Sequence, residues 1–364
     1  MEKMRYNILV VLLVAYMLLA NSNDTFAQTP YYTKHSAYSR MMKHFQLFES
    51  ANESRNFTEA IKEGEEALSL GIEIYGEESE FVFGMQNSIG MAYFNKKLYT
   101  RALEYFNSSL SGKTKTLGAN HPSIAVTYNN IGMCYSGLED YDKALEYYEK
   151  SLKLSISSLG EKHINVATAY NNLGGYYYHK GKYDDALQYY NKSMSLYMKN
   201  LGENHALTAG CYNNLGNVYL KKREYDTALE NYLKSLDIYV KIIGPKSAEV
   251  AKEFTKIADT HHSKGNHSKS IDYYKTSLNI YNKLPFDYDF EAGNIYFELG
   301  KIYYEKGKFQ ESVESLEKSI ALLKNKPGAE KAYRQSVEAI VESAKMNKQK
   351  ELVKKYSEEL KNIK

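Results

Sequence analysis

The sequence predicts an all-α protein, a solenoid of about seven helix-turn-helix repeats followed by a C-terminal pair of capping helices. A motif of Tyr-Asn-Asn, then Ile or Leu, then Gly recurs at a constant step of 42 residues, at 128–132, 170–174 and 212–216. Self-similarity at a fixed step of this size is typical of stacked repeats. All five prolines lie before or between the predicted helices, because proline lacks the amide hydrogen that a helix interior needs.

The N-terminus has the order of charged, apolar and polar segments that is typical of a secretory signal peptide. Lys3 and Arg5 precede an apolar or tyrosine stretch over 8–20, shorter than the ~20 residues of a membrane-spanning helix. Small residues at and two places before Ala27 predict cleavage there, so 1–27 is removed and a short linker over 28–36 follows. We therefore expect an exported protein, periplasmic or secreted and without stable membrane insertion; an uncleaved N-terminal tether is the alternative.

Seven repeats are predicted between 37 and 330, with starts near 37, 79, 121, 163, 205, 247 and 291. In the first helix of the third repeat, Tyr128, Ile131, Gly132 and Tyr135 share one face, which is therefore expected to be buried. Glycine costs about 1 kcal/mol in a helix interior, so its recurrence predicts a close helix contact. The expected facing residues are small residues of the second helix, Ala60, Ala102, Ala144, Ala186, Ala228, Ser270 and Ser312.

The second helix of each repeat is predicted to bury an aromatic ring and, three residues later, a small residue. The rings are Phe106, Tyr148, Tyr190, Tyr232 and Tyr274. Glycines recur where this helix ends, at Gly76, Gly118, Gly160, Gly202 and Gly244, and predict a left-handed C-terminal residue. The segment 331–364 keeps apolar spacing but loses these landmarks, as expected of capping helices.

Composition excludes several classes of partner. The 47 basic and 44 acidic residues leave a net charge of +3 and are scattered, which gives no support to nucleic acid as a partner. Cys134 and Cys211 lie two repeats apart on helices that are not expected to touch. Because a disulfide needs Cα atoms within about 7 Å, both are predicted to be free and mostly buried.

The series Tyr, Leu, Gly, Tyr, Ala, Tyr and Ser at these offsets resembles the tetratricopeptide repeat, whose usual length is 34 residues. The longer repeat, with connections such as 159–163, is similar to the kinesin light chain type. The resemblance covers about 37–326. It implies a right-handed superhelix with a concave groove lined by the first helices, and a role in binding proteins. The heptad segment of kinesin light chains has no counterpart here.

By this resemblance, the groove side of the third repeat carries Val126, Asn129, Met133 and Ser136, which point away from the buried face. Asparagine pairs occupy this side in repeats two to five. The predicted partner-binding residues are Asn87, Asn129, Asn130, Asn171, Asn172, Asn213 and Asn214. A side-chain amide both donates and accepts, so a row of amides suits the backbone of an extended peptide. Alternatively, these asparagines bond to the neighbouring repeat and set the superhelical twist.

We identify no motif for catalysis, cofactor binding or metal binding in the sequence, since phosphate-binding loops and nucleophile elbows are missing. His121, His163 and His205 recur at the repeat step and lie too far apart to share one metal. A local cluster, His261, His262 and His267, has no cysteine or acidic residue at ligand spacing.

The sequence therefore predicts a non-catalytic scaffold or adaptor that binds a protein or an extended peptide in the groove of repeats two to five. The alternative is a sensory or regulatory module that passes a ligand-induced change of shape to a separate signalling protein.

Overall fold

A computed structural model describes residues 28–285 and 287–363, and in this part of the chain it contains 16 helices and no strands. The predicted signal peptide, 1–27, lies outside the described residues. Among the helices that are described, none combines the length and apolar character that crossing a bilayer requires. The predicted all-α class is confirmed.

The described part of the chain forms two compact units, which divide between Ala144 and Leu145. In the first unit, α1 packs against α2, α2 against α3, α3 against α4 and α4 against α5. These helices are α1 (Gln28–Glu53), α2 (Phe57–Tyr75), α3 (Glu80–Asn95), α4 (Tyr99–Leu117) and α5 (Pro122–Gly137). The next helix, α6 (Tyr141–Leu159), runs through the division between the units.

The second unit contains five further helix pairs, and each pair consists of helices that follow one another in the chain. The pairs are α7 (Ile164–His179) with α8 (Tyr183–Leu201), α9 (Ala206–Lys221) with α10 (Tyr225–Ile243), α11 (Ala248–Ser263) with α12 (His267–Tyr281), α13 (Asp289–Glu305) with α14 (Phe309–Leu323), and α15 (Glu330–Met346) with α16 (Lys350–Asn362).

Five of the seven predicted repeat starts coincide with the N-caps of first helices, and the other two, near 37 and 291, lie inside α1 and α13. Ser79, His121, His163, His205 and Ser247 are N-cap residues, and the side chain of each accepts a hydrogen bond from a backbone amide of the first turn. This contact satisfies one of the amides that a helix start leaves unpaired. At the N-terminus the structure differs from the prediction, because α1 begins at Gln28, within the segment that was expected to be a linker.

Glycines end the second helices as predicted, but in a different backbone conformation. Gly76, Gly118, Gly202 and Gly244 have φ of 83° to 87° with ψ of 153° to 172°. These angles lie in an extended region with positive φ that is essentially restricted to glycine, rather than in the left-handed helical region. A residue with a Cβ atom at these positions would be strained.

The glycines inside the first helices make room for the ring of the second helix. A Cβ atom on Gly90 would lie 2.7 Å from the Phe106 ring, and one on Gly216 would lie 2.6 Å from the Tyr232 ring. The alanine series is fully buried. In repeat seven the predicted contact of a small residue is present, because Ser312 donates a hydrogen bond of 2.7 Å to the carbonyl oxygen of the helix glycine.

The small residue after the ring has a second role besides its size. Ser277 donates a hydrogen bond of 2.8 Å to the carbonyl oxygen of Ala251, and Ser319 donates one of 2.8 Å to that of Gly293. These serines tie the second helix to the backbone of the first.

The predicted free, buried state of Cys134 and Cys211 is confirmed, and burial raises the pKa of the two thiols to about 12 and about 11.

We expect Gly216→Ala to lower the free energy of unfolding by about 1–3 kcal/mol, because the new methyl group collides with a ring that is fully buried. Gly210→Ala is the matched control on the same helix, since a Cβ atom there meets nothing within 4 Å. It should raise stability by about 0.5–1 kcal/mol through better helix propensity. Urea unfolding of the two variants measures both effects, and equal shifts would contradict the ring contact.

Candidate functional site

The asparagines of the first unit bond to each other across neighbouring repeats. Asn130 on α5 donates through its amide nitrogen to the Oδ1 atom of Asn87 on α3, at 3.0 Å. Asn129 and Asn130 are both buried, with 7% of their surface exposed. The amide nitrogen of Asn129 lies 3.6 Å from the sulfur of Met133. The second asparagine of the pair thus links its repeat to the preceding one.

The same contact recurs in the second unit. Asn214 on α9 donates to the Oδ1 atom of Asn171 on α7, at 2.9 Å, and the two residues are again 43 positions apart. The amide nitrogen of Asn171 lies 3.4 Å from the Oδ1 atom of Asn172. A side-chain bond between neighbouring repeats is what the twist-setting alternative requires. The bond uses one acceptor position of the Asn171 oxygen, and the side-chain amide can still make other hydrogen bonds.

A lysine makes the corresponding contact between repeats five and six. Lys256 on α11 stands 43 positions after Asn213 and donates through Nζ to its Oδ1 atom. The amide nitrogen of Asn213 in turn donates to Oε1 of Glu253, also on α11. The bond between repeats is therefore retained, but an ionic group replaces the neutral amide on one side.

Glu253 is a buried carboxylate with incomplete bonding. It is 3% exposed, and its Oε2 atom has no hydrogen bond of normal geometry among the described residues. Burial raises the pKa of Glu253 to about 7, although the nearby Lys256 ammonium, the Asn213 amide and the Ser235 hydroxyl favour the charged form. Burial also lowers the pKa of Lys256, and the attraction of Glu253 opposes that change. Both charges are thus costly to keep here without further partners.

A second, partly buried acid lies nearly two turns further along α11. Asp259 accepts a hydrogen bond from the hydroxyl of Tyr274 on α12. Burial raises the pKa of Asp259 to about 6, while the bond from Tyr274 acts in the opposite direction. The equivalent position is uncharged in repeats two to five and holds Met133 in repeat three.

Two cavities lie beside these groups in the second unit. The larger, of about 620 Å³, lies between α11 and α13. In repeat three, four positions of the first helix were predicted to face the groove. The equivalent four residues of repeat six line this cavity. They are Lys252, Thr255, Asp259 and His262. Lys301 also lines this cavity and pairs with Glu298 at 2.8 Å.

The smaller cavity, of about 430 Å³, contains three of the predicted partner-binding residues. Its lining includes Asn171, Asn213 and Asn214 together with Glu253. Lys252 and Lys256 line both cavities, so the two lie next to each other. The structure therefore brings part of the asparagine row together with an ionic cluster that the sequence did not reveal. Its one signal was the replacement of the asparagine pair by Thr255 and Lys256 in repeat six.

The three periodic histidines have a structural role. Nδ1 of His163 accepts a hydrogen bond from the amide of Asn165 at 3.1 Å, and Nδ1 of His205 accepts one from the amide of Leu207 at 3.1 Å. His121 caps α5 in the same way. These residues hold the helix starts in place, in agreement with their predicted position in the connections between repeats.

The raised pKa of Glu253 predicts a pH dependence that Glu253→Gln removes. An acid whose pKa is higher in the folded than in the unfolded state favours folding at low pH and loses that contribution as pH rises. We therefore expect the wild type to lose stability relative to Glu253→Gln between pH about 4.5 and about 7. Urea unfolding across this range measures the difference, and a constant difference would show that Glu253 has an ordinary pKa.

The family model for the tetratricopeptide repeat matches the chain at 81–157, 137–199, 165–241 and 248–325, which together span more than half of it. No curated protein matches the sequence.

Three solved structures are similar. The apo form of the quorum sensor NprR from B. thuringiensis is 15% identical with a TM-score of 0.64, over 100% of this chain and 94% of that one. The apo form of RapI is 14% identical with a TM-score of 0.61, over 88% and 86%. BtubC (BKLC) from P. vanneervenii is 20% identical with a TM-score of 0.50, over 66% and 91%. At these identities the likeness shows the fold alone. Since the family model matches most of the repeat region and the helix pairs follow the 42-residue step, the chain belongs to the tetratricopeptide repeat family.

Proposed function

We propose that this chain is a non-catalytic interaction scaffold, and that repeats four to seven bind an extended peptide segment of a partner protein. The observation that carries the proposal is the buried Oε2 atom of Glu253, which has no hydrogen bond of normal geometry among the described residues and belongs to a side chain lining the smaller cavity. An unpaired buried acceptor is costly, and a ligand N–H group would relieve that cost.

The other lining groups fit a peptide backbone. Asn171 and Asn214 carry amides that both donate and accept, and Lys252 adds a cationic donor that borders both cavities. The larger cavity holds both signs of charge, with Lys301 paired to Glu298. A mixed lining of this kind suits a chain of alternating N–H and C=O groups better than a polyanion such as nucleic acid.

A sensory role is the second candidate. The contact between Asn213, Glu253 and Lys256 joins repeats five and six, so a ligand that pairs with Glu253 would alter the link between two repeats. The link would then have two arrangements, one with and one without Glu253 bound to Asn213. A ligand with different affinities for these two arrangements would shift the equilibrium between them. The fold is shared with NprR, a quorum sensor, and is therefore compatible with such a role.

Export is part of the proposal, since 1–27 has the pattern of a signal peptide. The mature exported protein should begin at Gln28, because the small residues that suit cleavage end at Ala27. Edman sequencing of the protein recovered outside the cytoplasm of its source cells tests the cleavage position. A preparation that retains Lys3 and Arg5 would instead favour the uncleaved tether.

Peptide binding is tested by selecting a phage-displayed library of random linear peptides on the chain from Gln28 onward. For a selected peptide, we expect Lys252→Glu to raise Kd at least tenfold, because an acid replaces a donor that borders both cavities. Lys275→Glu is the matched control, since Lys275 is an exposed lysine on α12 of the same unit. Titration calorimetry gives both values, and equal effects of the two charge reversals would refute this site.

The two roles of the asparagines are separated by the double variant Asn171→Ala, Asn214→Ala. Loss of peptide affinity supports direct contact. A lower Tm with unchanged affinity supports the twist-setting alternative, because the 2.9 Å bond between the two repeats is then their whole contribution. In the first unit, Asn87, Asn129 and Asn130 remain predicted partner contacts, and Asn129→Ala tests them in the same assay.

A further inference from the structure

Three potential metal ligands come together where repeat six meets repeat seven. His262 lies in the last turn of α11, His267 begins α12, and Glu305 ends α13. Nε2 of His262 is 2.9 Å from Oε2 of Glu305, and Nδ1 of His267 is 3.8 Å from the same oxygen. The sequence showed no acidic residue at ligand spacing from these histidines. In the structure, Glu305 of the next repeat lies beside them.

Internal hydrogen bonds explain only part of this arrangement. The 2.9 Å contact between His262 and Glu305 is an ordinary hydrogen bond, but 3.8 Å is too long for one from His267. Nδ1 of His267 is buried and has no hydrogen-bond partner among the described residues. A buried ring nitrogen aimed at a carboxylate beyond bonding distance is a group that a shared cation would satisfy.

The spacing and the donor types suit zinc. One ligand atom from each residue lies within 4.8 Å of the other two. With metal–ligand bonds of about 2.0–2.2 Å, tetrahedral geometry places ligand atoms roughly 3.4 Å apart, so small side-chain rotations close the site. Two imidazoles and one carboxylate form a set that zinc accepts with a fourth position left open. Calcium and magnesium prefer oxygen ligands, so neither should bind well.

We propose that His262, His267 and Glu305 bind one zinc ion that links repeat six to repeat seven. His262 and Glu305 are 43 positions apart, the same step as the contacts between Asn171 and Asn214 and between Asn213 and Lys256. The metal would therefore reinforce a place where neighbouring repeats already meet. His262 also lines the larger cavity, so the ion would lie beside the proposed peptide site without being part of it.

Zinc titration of the chelator-treated, tag-free chain from Gln28 onward tests the proposal by calorimetry. The wild type should bind one Zn²⁺ per chain and show a higher Tm with zinc. His267→Ala and Glu305→Gln should each weaken binding at least tenfold, since even groups that only support a ligand contribute ~10–100-fold. Glu305→Gln keeps the shape of a half-exposed side chain, so folding is preserved.

His44→Ala is the matched control. His44 pairs with Glu63 at 2.6 Å, but this pair is not part of a three-residue group of the required type within the described residues. The control should bind zinc like the wild type. The proposal is overturned if the wild type does not bind zinc, if Mg²⁺ binds equally well, or if Glu305→Gln retains full affinity.

Discussion

Four helix pairs share one contact, in which an aromatic ring or leucine of the second helix lies directly against a glycine of the first. Gly174 meets Tyr190, Gly216 meets Tyr232, and Gly300 meets Leu316. The side chain approaches the first helix so closely that no other side chain fits between them. Because the pair is set at this distance, the serine one turn later can reach a backbone carbonyl of the first helix, as Ser319 does. Pair geometry therefore leaves the opposite face of each first helix free to differ from repeat to repeat.

That freedom is used most in repeat six. Buried or partly enclosed charged residues, Glu253, Lys256 and Asp259, stand there where repeat five has uncharged ones. The uncharged counterparts are Cys211, Asn214 and Asn217. Burying such groups is costly unless they find partners. Solvent-facing lysines and acids elsewhere carry no such cost. The charged groups that lower stability therefore lie at the two cavities that we propose to hold a partner.

The period of 42 residues was sufficient to predict the helix pairs, and the N-cap positions followed from Ser79 to Ser247 because caps are local features of the chain. The ring that covers the helical glycine was not predictable, because face periodicity identifies buried residues but not which of them touch. The bond from Asn214 to Asn171 likewise depends on how one repeat is stacked on the next. Glu305 was missed for the same reason, since it lies far from His262 in the sequence and joins it only through stacking.

The step of 43 positions between bonded side chains has a consequence for how such a chain diversifies. Asparagine and lysine codons differ only at the third base, so one nucleotide change converts the neutral donor of Asn214 into the ionic donor found at Lys256. Both side chains reach the asparagine of the preceding repeat, and the bond survives the exchange. Gene duplication followed by a single mutation can thus introduce charge into one repeat while its attachment to the array is kept.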